Sequence, residues 1–216
     1  MNETKTIMKS LLNDTAVLME LQYLPPVGSI MKMVEVGKVI FEQHEHYTKR
    51  TYRNRCQILA ANGILNLSIP LQKGKHQQLP IRKVGISYAD NWQVQHWRSI
   101  KSAYGRAPFF EYYGEEVKEI FDKKHPFLFD LNLELFQLII ELMQLEIEVD
   151  FSKTYEKTPA EGIFDGRNSI LPKKNNEAIS FQKYPQVFED KHGFVPNLSI
   201  LDLLFCYGTQ AYQVLS

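Results

Sequence analysis

The chain has 216 residues, 44% of them hydrophobic and 23% charged, enough for one packed core that buries roughly 70% of the unfolded surface. Lys plus Arg and Asp plus Glu both number 25, so the formal net charge is zero; a dedicated nucleic-acid binder carries a basic excess that this chain lacks. Cys56 and Cys206 have no CxxC partner, which excludes a disulfide framework and a cysteine-built zinc site.

Residues 1–13 contain Lys5 and Lys9 and only a broken apolar run, without the continuous apolar core of a signal peptide. No stretch reaches the roughly 18 to 20 apolar residues of a membrane span. The expectation is a reduced, cytoplasmic protein with no membrane span, a flexible N-terminal segment over 1–13 and a single domain over 14–216.

Residues 16–20 are short and apolar and predict a buried strand. Pro25-Pro26 ends it, because each proline fixes φ and removes a donor. Residues 29–36 predict a helix capped by Gly37, and 39–43 a second strand, together a βαβ-like opening. Asn62-Gly63 lies between apolar runs at 55–61 and 64–71, a hairpin signal because both central turn positions favour φ > 0. In the second run Leu65, Leu67 and Ile69 face one way, Asn66 and Ser68 the other. Residues 72–79, polar with Gly74 and His76, predict a mobile loop, and 81–88 another strand.

From Asp90 the period becomes helical. Trp92, His96, Ser99, Ile100 and Ala103 share a face, with Asp90 as candidate N-cap. Short helices are expected over 108–113 and 115–122. The clearest helix is 130–145, striped by Leu131, Leu135, Leu138, Leu142 and Leu145. A strand follows at 146–151, then a Pro-, Gly- and Asn-rich loop over 154–177. Asn197 or Ser199 caps a helix that begins at Ile200, and a last short helix ends the chain. The fold class is α/β (α+β), with a mixed or largely antiparallel sheet, the Asn-Gly hairpin and a helix-rich second half.

Chemistry concentrates in residues 44–55, which hold His44, His46, Tyr47, Tyr52 and the cations Lys49, Arg50, Arg53 and Arg55. In an extended chain Tyr47, Lys49, Thr51, Arg53 and Arg55 share a face. Arginines on one face suit phosphate or carboxylate, since the planar fork donates twice. The same pattern also describes a charged edge strand that resists edge-to-edge pairing. His44 and His46 sit at i, i+2, but zinc needs three or four ligands and only His76 and His96 lie near in sequence; no metal and no cofactor is expected. His96, between Trp92 and Trp97, is either a packed core residue or a general acid or base. Cys56 is either a thiol activated beside arginine or a small buried apolar group. GxGxxG, GxxxxGK[ST], GxSxG and HExxH are absent.

The run Tyr23-Leu24-Pro25-Pro26-Val27-Gly28, the run Tyr47-Thr48-Lys49-Arg50 with Tyr52-Arg53-Asn54-Arg55, the strand 64–70, and His96 through Tyr104 to Ala107-Pro108-Phe109-Phe110 resemble the succession in the WbqC-like family. Tyr184-Pro185-Gln186-Val187-Phe188, Gly193-Phe194 and Pro196 through Phe205 resemble its C-terminal signature. The likeness runs from about residue 20 to the end. Two departures are Glu42 and Glu45, where relatives often have an Asp-rich segment, and Cys206, where many have Asn; the latter argues against a catalytic role for that thiol. The resemblance implies work on surface-polysaccharide precursors of O-antigen type, as an acyl or aminoacyl transferase acting on a nucleotide-linked amino sugar. The alternative is a non-catalytic component that binds a sugar nucleotide or partner proteins of a biosynthetic assembly. The expected site brings Arg53, Asn54 and Arg55 to a catalytic His96, with Lys49 and Tyr104 on the substrate-binding rim. The competing expectation is that Arg53 or Arg55 pairs, buried, with a carboxylate such as Glu111 or Asp202 while His96 merely packs.

Overall fold

The computed structural model describes residues 15–73, 79–172 and 179–215. The segment 1–13, His76 with most of the 72–79 loop, and the last part of the 154–177 loop lie outside the described residues.

Strand β1 (Ala16–Glu20) is buried along its whole length, as a continuous apolar run in the middle of a parallel sheet must be. Helix α1 (Val27–Val36) starts directly after Pro26 and ends at Gly37, whose φ of 81° lets its N–H reach the Met33 carbonyl. The chain returns as β2 (Lys38–Glu42), parallel to β1, with Glu20 opposite Glu42 at the end of the register. Strand β5 (Glu148–Phe151) adds to the outer side of β2, and β6 (Ile163–Asp165) to the other side of β1, both parallel. The order β5-β2-β1-β6 reverses direction at β1, and the crevice beyond the carboxyl ends of β1 and β6 is the place where open parallel sheets hold ligands.

The hairpin β3 (Arg55–Ala60) and β4 (Gly63–Ser68) forms its own two-stranded sheet. The fold is thus α/β with both strand orientations; apart from isolated bridges, the antiparallel pairing described lies in the hairpin, and the principal sheet is parallel throughout. Ala60 pairs with Gly63, so the turn is Ala61-Asn62, one position earlier than an Asn62-Gly63 centre, and Gly63 takes the positive φ (106°). A shift of the turn by one moves the register by two, which preserves the alternation of faces: Leu67 and Ile69 are buried, whereas Leu65, nearer the turn, is 37% exposed.

The second half is helical: α2 (Trp92–Tyr104), α3 (Phe110–Asp122), α4 (Leu128–Leu142), α5 (Glu189–His192), α6 (Ile200–Tyr207) and α7 (Tyr212–Leu215). Phe41 of β2 meets Phe136 of α4 edge to face at 4.9 Å, and Phe205 of α6 packs on Tyr104 and Phe110 at 5.6 and 5.0 Å. Ser199 caps α6 by accepting from the Leu201 N–H, and donates to the Leu24 carbonyl. Asn197 accepts from the Gly28 N–H at 2.9 Å, so the tail closes over the start of α1.

Several local expectations fail for tertiary reasons. Residues 81–88 form a 3-10 turn (Ile81–Lys83) and isolated bridges, because Ile81, Val84 and Ile86 anchor into the core without a strand beside them. The two short helices after Pro108 are one, α3, with Gly114 inside it; the roughly 1 kcal/mol cost of an internal glycine is offset by burial of Val117, Ile120 and Phe121. Asn91, not Asp90, precedes α2, without a side-chain cap. Residues 44–55 are not a strand: Arg50 turns the chain at φ 62° and Tyr52–Asn54 is a 3-10 turn. Strand β6 lies in the stretch that reads as loop; three residues carry no usable period, and β1 supplies their ladder.

Candidate functional site

At the carboxyl ends of β1 and β2 three carboxylates are buried: Glu20, Glu42 and, in the connection that follows, Glu45. Arg53, fully buried, meets Glu45 with Nε (2.7 Å) and Nη2 (2.5 Å) and Asn168 with Nη1 (2.9 Å). Its Nη2 lies 4.0 Å from Glu20. Glu20 accepts from Gln22 (2.7 Å) and from the Asn168 N–H (2.8 Å); Glu42 accepts from Ser152, the His44 N–H and Arg167. Asn132 of α4 donates to the Arg53 carbonyl at 2.7 Å. Burial pushes the Glu45 carboxyl up against the pull of Arg53. Asn168 holds a positive φ of 53° to make its two contacts, a strain that the network itself sustains. This cluster binds the loop after β2, the loop after β6 and the entry to β3 into one piece.

Beside it the hairpin opens. A depression of about 540 Å³ is lined by Arg50, Arg55, Gln57, Asn66 and Pro172. Arg50 and Arg55 flank Arg53 in sequence and Pro172 follows Asn168 by four residues, but no residue of the acid–arginine cluster lines the depression. Among the described residues neither Arg50 nor Arg55 has a carboxylate partner, whereas Arg53, Arg82 and Arg167 do. The Arg55 Nε is buried without any partner. Gln57 and Asn66 face each other across the hairpin at 3.1 Å. A second hollow, about 460 Å³ at the end of α4 against β5, is lined by Phe136, Ile140, Leu145 and Val149 with Glu141 and Glu146 and by no cation; it does not suit an anion.

The residues that sequence reasoning names divide between these places and the core. Arg53 is in the buried cluster, and its partners are Glu45, Glu20 and Asn168 rather than Glu111 or Asp202. Arg55 lines the depression. Asn54 is buried, donating to the Ile69 carbonyl and accepting from Tyr47. Lys49 is exposed beside the Arg50 turn. Tyr104 is fully buried against Phe205 instead of standing on a rim.

His96 is also buried. Its ring sits 5.1 Å from Trp92 and 6.5 Å from Phe121, with the Tyr23 hydroxyl 2.9 Å from Nδ1. Burial lowers its pKa to about 4, against the Ser68 backbone, which favours the charged ring. Cys56 faces Tyr23 on that inner side, and strand alternation turns Arg55 and Gln57 the opposite way. The structure therefore does not bring His96 and Arg55 into one cavity. Both thiols are buried and burial pushes both up, so neither Cys56 nor Cys206 is activated.

Arg50, Gln57, Asn66 and Pro172 escape sequence reasoning. Gln57 and Asn66 had a usable signal: hairpin pairing sets them opposite each other on the face that Arg55 shares. Among the described residues no group of three or more His, Cys, Asp or Glu could hold a metal, and no helix is long and apolar enough to cross a membrane.

The family model of the WbqC-like proteins matches residues 22–175, well over half of the chain. The chain belongs to the WbqC-like protein family. All five residues lining the depression, together with Glu42, Glu45, Arg53, Arg167 and Asn168, fall inside the WbqC-like region; β1 and the tail from Tyr184 fall outside it. A full-length relative of this WbqC-like chain is the uncharacterized protein Rv1507c of Mycobacterium tuberculosis, 27% identical over an alignment of 225 residues that covers 90% of this chain and 94% of the relative. No solved structure matches it.

Proposed function

We propose that this WbqC-like protein takes a nucleotide-activated amino sugar into the hairpin depression during cytoplasmic assembly of a surface polysaccharide of O-antigen type. The observation that carries the reading is the pair Arg50 and Arg55, two guanidinium groups without carboxylate partners in a hollow of about 540 Å³. Arginine left unpaired in a concave site is suited to phosphate, and the hollow has the size of a small-molecule site rather than a polymer track. The glycan context comes from the family likeness. Within it the protein works as an acyl or aminoacyl transferase that brings a donor to the sugar amine.

A second reading, a non-catalytic carrier of the sugar nucleotide within a biosynthetic assembly, is favoured by a separate observation. The groups best suited to act as nucleophile or base, Cys56, Cys206 and His96, are all buried away from the depression.

Thermal-shift titration with nucleotide sugars, amino sugars and acyl donors tests the binding, since a ligand at 100 times its Kd stabilises the native state by about 2.7 kcal/mol. Stabilisation by a nucleotide sugar, lost in Arg55→Gln, is the expected result; no stabilisation by any nucleotide sugar sinks it. Mass spectrometry of the purified protein with donor and acceptor separates the two readings, because an acylated sugar appears only for a transferase.

A further inference from the structure

The polarity of the depression follows from a three-residue relay. The Tyr52 hydroxyl donates to Gln57 Oε1 at 3.0 Å, and Gln57 Nε2 donates to Asn66 Oδ1 at 3.1 Å. Burial pushes the Tyr52 phenol up to about 12, so it remains a donor at neutral pH. A carboxamide oxygen only accepts and its nitrogen only donates. With the phenol donating to its oxygen, Gln57 turns its nitrogen to Asn66, and the Asn66 oxygen is the end that receives it. What is left over at the end of the relay is Asn66 Nδ2, whose N–H groups have no partner among the described residues.

Next to it stand Arg50 and Arg55, including the buried, unpartnered Arg55 Nε. The side chains around this hollow thus present N–H donors, from two guanidinium groups and one amide oriented by the relay, while each amide oxygen already accepts one hydrogen bond. A sugar hydroxyl can accept from these N–H groups but carries no charge to match the guanidinium groups. A diphosphate brings acceptors only, spread over two phosphoryl groups, and its charge matches two unpaired guanidinium groups.

We infer that the depression is the diphosphate subsite for a nucleoside diphosphate, and that Tyr52 is a positioning residue that sets its polarity through Gln57 and Asn66. This rests on the nucleotide-sugar reading above and adds which part of the ligand sits there and what selects it.

The test is calorimetric titration of the full chain with inorganic pyrophosphate, inorganic phosphate, uridine diphosphate and free N-acetylglucosamine. Pyrophosphate and uridine diphosphate are expected to compete for one site and to weaken with added salt, while the free sugar displaces neither. Arg55→Gln and Arg50→Gln each lower pyrophosphate affinity by about tenfold or more, and Asn66→Asp, which sets an acceptor anion at the end of the relay, lowers it further. Arg55→Lys, which keeps the charge but not the fork, falls between wild type and Arg55→Gln. Tyr52→Phe weakens pyrophosphate severalfold in the wild-type background and has no further effect once Asn66 is Leu, a coupling that a merely structural tyrosine would not show.

Pyrophosphate that does not bind, or binds with an affinity indifferent to Arg55 and Asn66, overturns the inference. A nucleotide sugar that binds while pyrophosphate does not also overturns it, but leaves the proposed function standing. Pyrophosphate that binds through Arg55 and Asn66 while every nucleotide sugar fails supports the subsite and removes the function assigned to it.

Discussion

Arg53 and Arg55 are two residues apart and have opposite surroundings. Arg53 is enclosed, with Glu45 on two of its nitrogens, Asn168 on a third and Glu20 within 4.0 Å. Arg55 has no carboxylate partner among the described residues and its Nε is buried unpaired. The 3-10 turn Tyr52–Asn54 separates them, so they do not share the face that an extended chain would give them. The comparison separates an ion whose hydrogen bonds the protein completes from one whose hydrogen bonds it leaves open. The same division holds for the regions around them. The cluster at the ends of β1 and β2 is closed, and the hairpin depression is open.

The largest expected effect breaks the closed side. Arg53→Met strands Glu45 and Glu20 as buried charges, and removal of one partner from such a pair costs about 3 to 5 kcal/mol, read as a lowered midpoint in urea unfolding. A loss below about 1 kcal/mol would mean that the cluster relaxes or hydrates and is not the knot described here.

The next effect concerns a carboxylate buried with no cation at all. Asp202 accepts from Tyr184 and Gln186, both at 2.8 Å, and faces the buried Tyr104 hydroxyl. Burial raises its pKa from 3.8 to about 6. The native state therefore holds a proton that the unfolded chain has released between those values, and Asp202 costs stability as pH rises through that window. Asp202→Asn removes the titration, so its stability relative to wild type should climb with pH from about 4 to about 6 and then stay level, by about 3 kcal/mol in all at about 1.4 kcal/mol per unit. A difference that is flat with pH refutes the assignment.

The smallest effect lies on the open side. Arg55→Gln should leave unfolding free energy within about 0.5 kcal/mol of wild type while it removes ligand-induced stabilisation. Should Arg55→Gln destabilise the fold as much as Arg53→Met, the contrast between the two arginines disappears, and with it the argument for the depression.

Several local signals are read correctly from the amino-acid sequence alone. The apolar run of β1, the stop at Pro25-Pro26, the αL cap at Gly37, the leucine stripe of α4 and the Ser199 cap of α6 each depend on a few neighbouring residues, and each appears within three residues of its expected place. The arginine-rich stretch also stands out in the sequence as a place where cationic side chains gather. Tertiary structure decided everything that depends on a partner distant in sequence. Strand β6 exists because β1 offers it a ladder. The parallel sheet and the hairpin separate because β3 pairs with β4 and no strand of the other sheet. Arg53 finds Glu45 and Asn168 instead of Glu111 or Asp202 because a 3-10 turn, not a strand, carries it inward. His96 ends in an aromatic box on the far face of the hairpin from Arg55. The physical reason is common to all four: the identity of a side chain states what it can bond, but which of several eligible partners it meets is set by packing, and packing is a property of the whole chain.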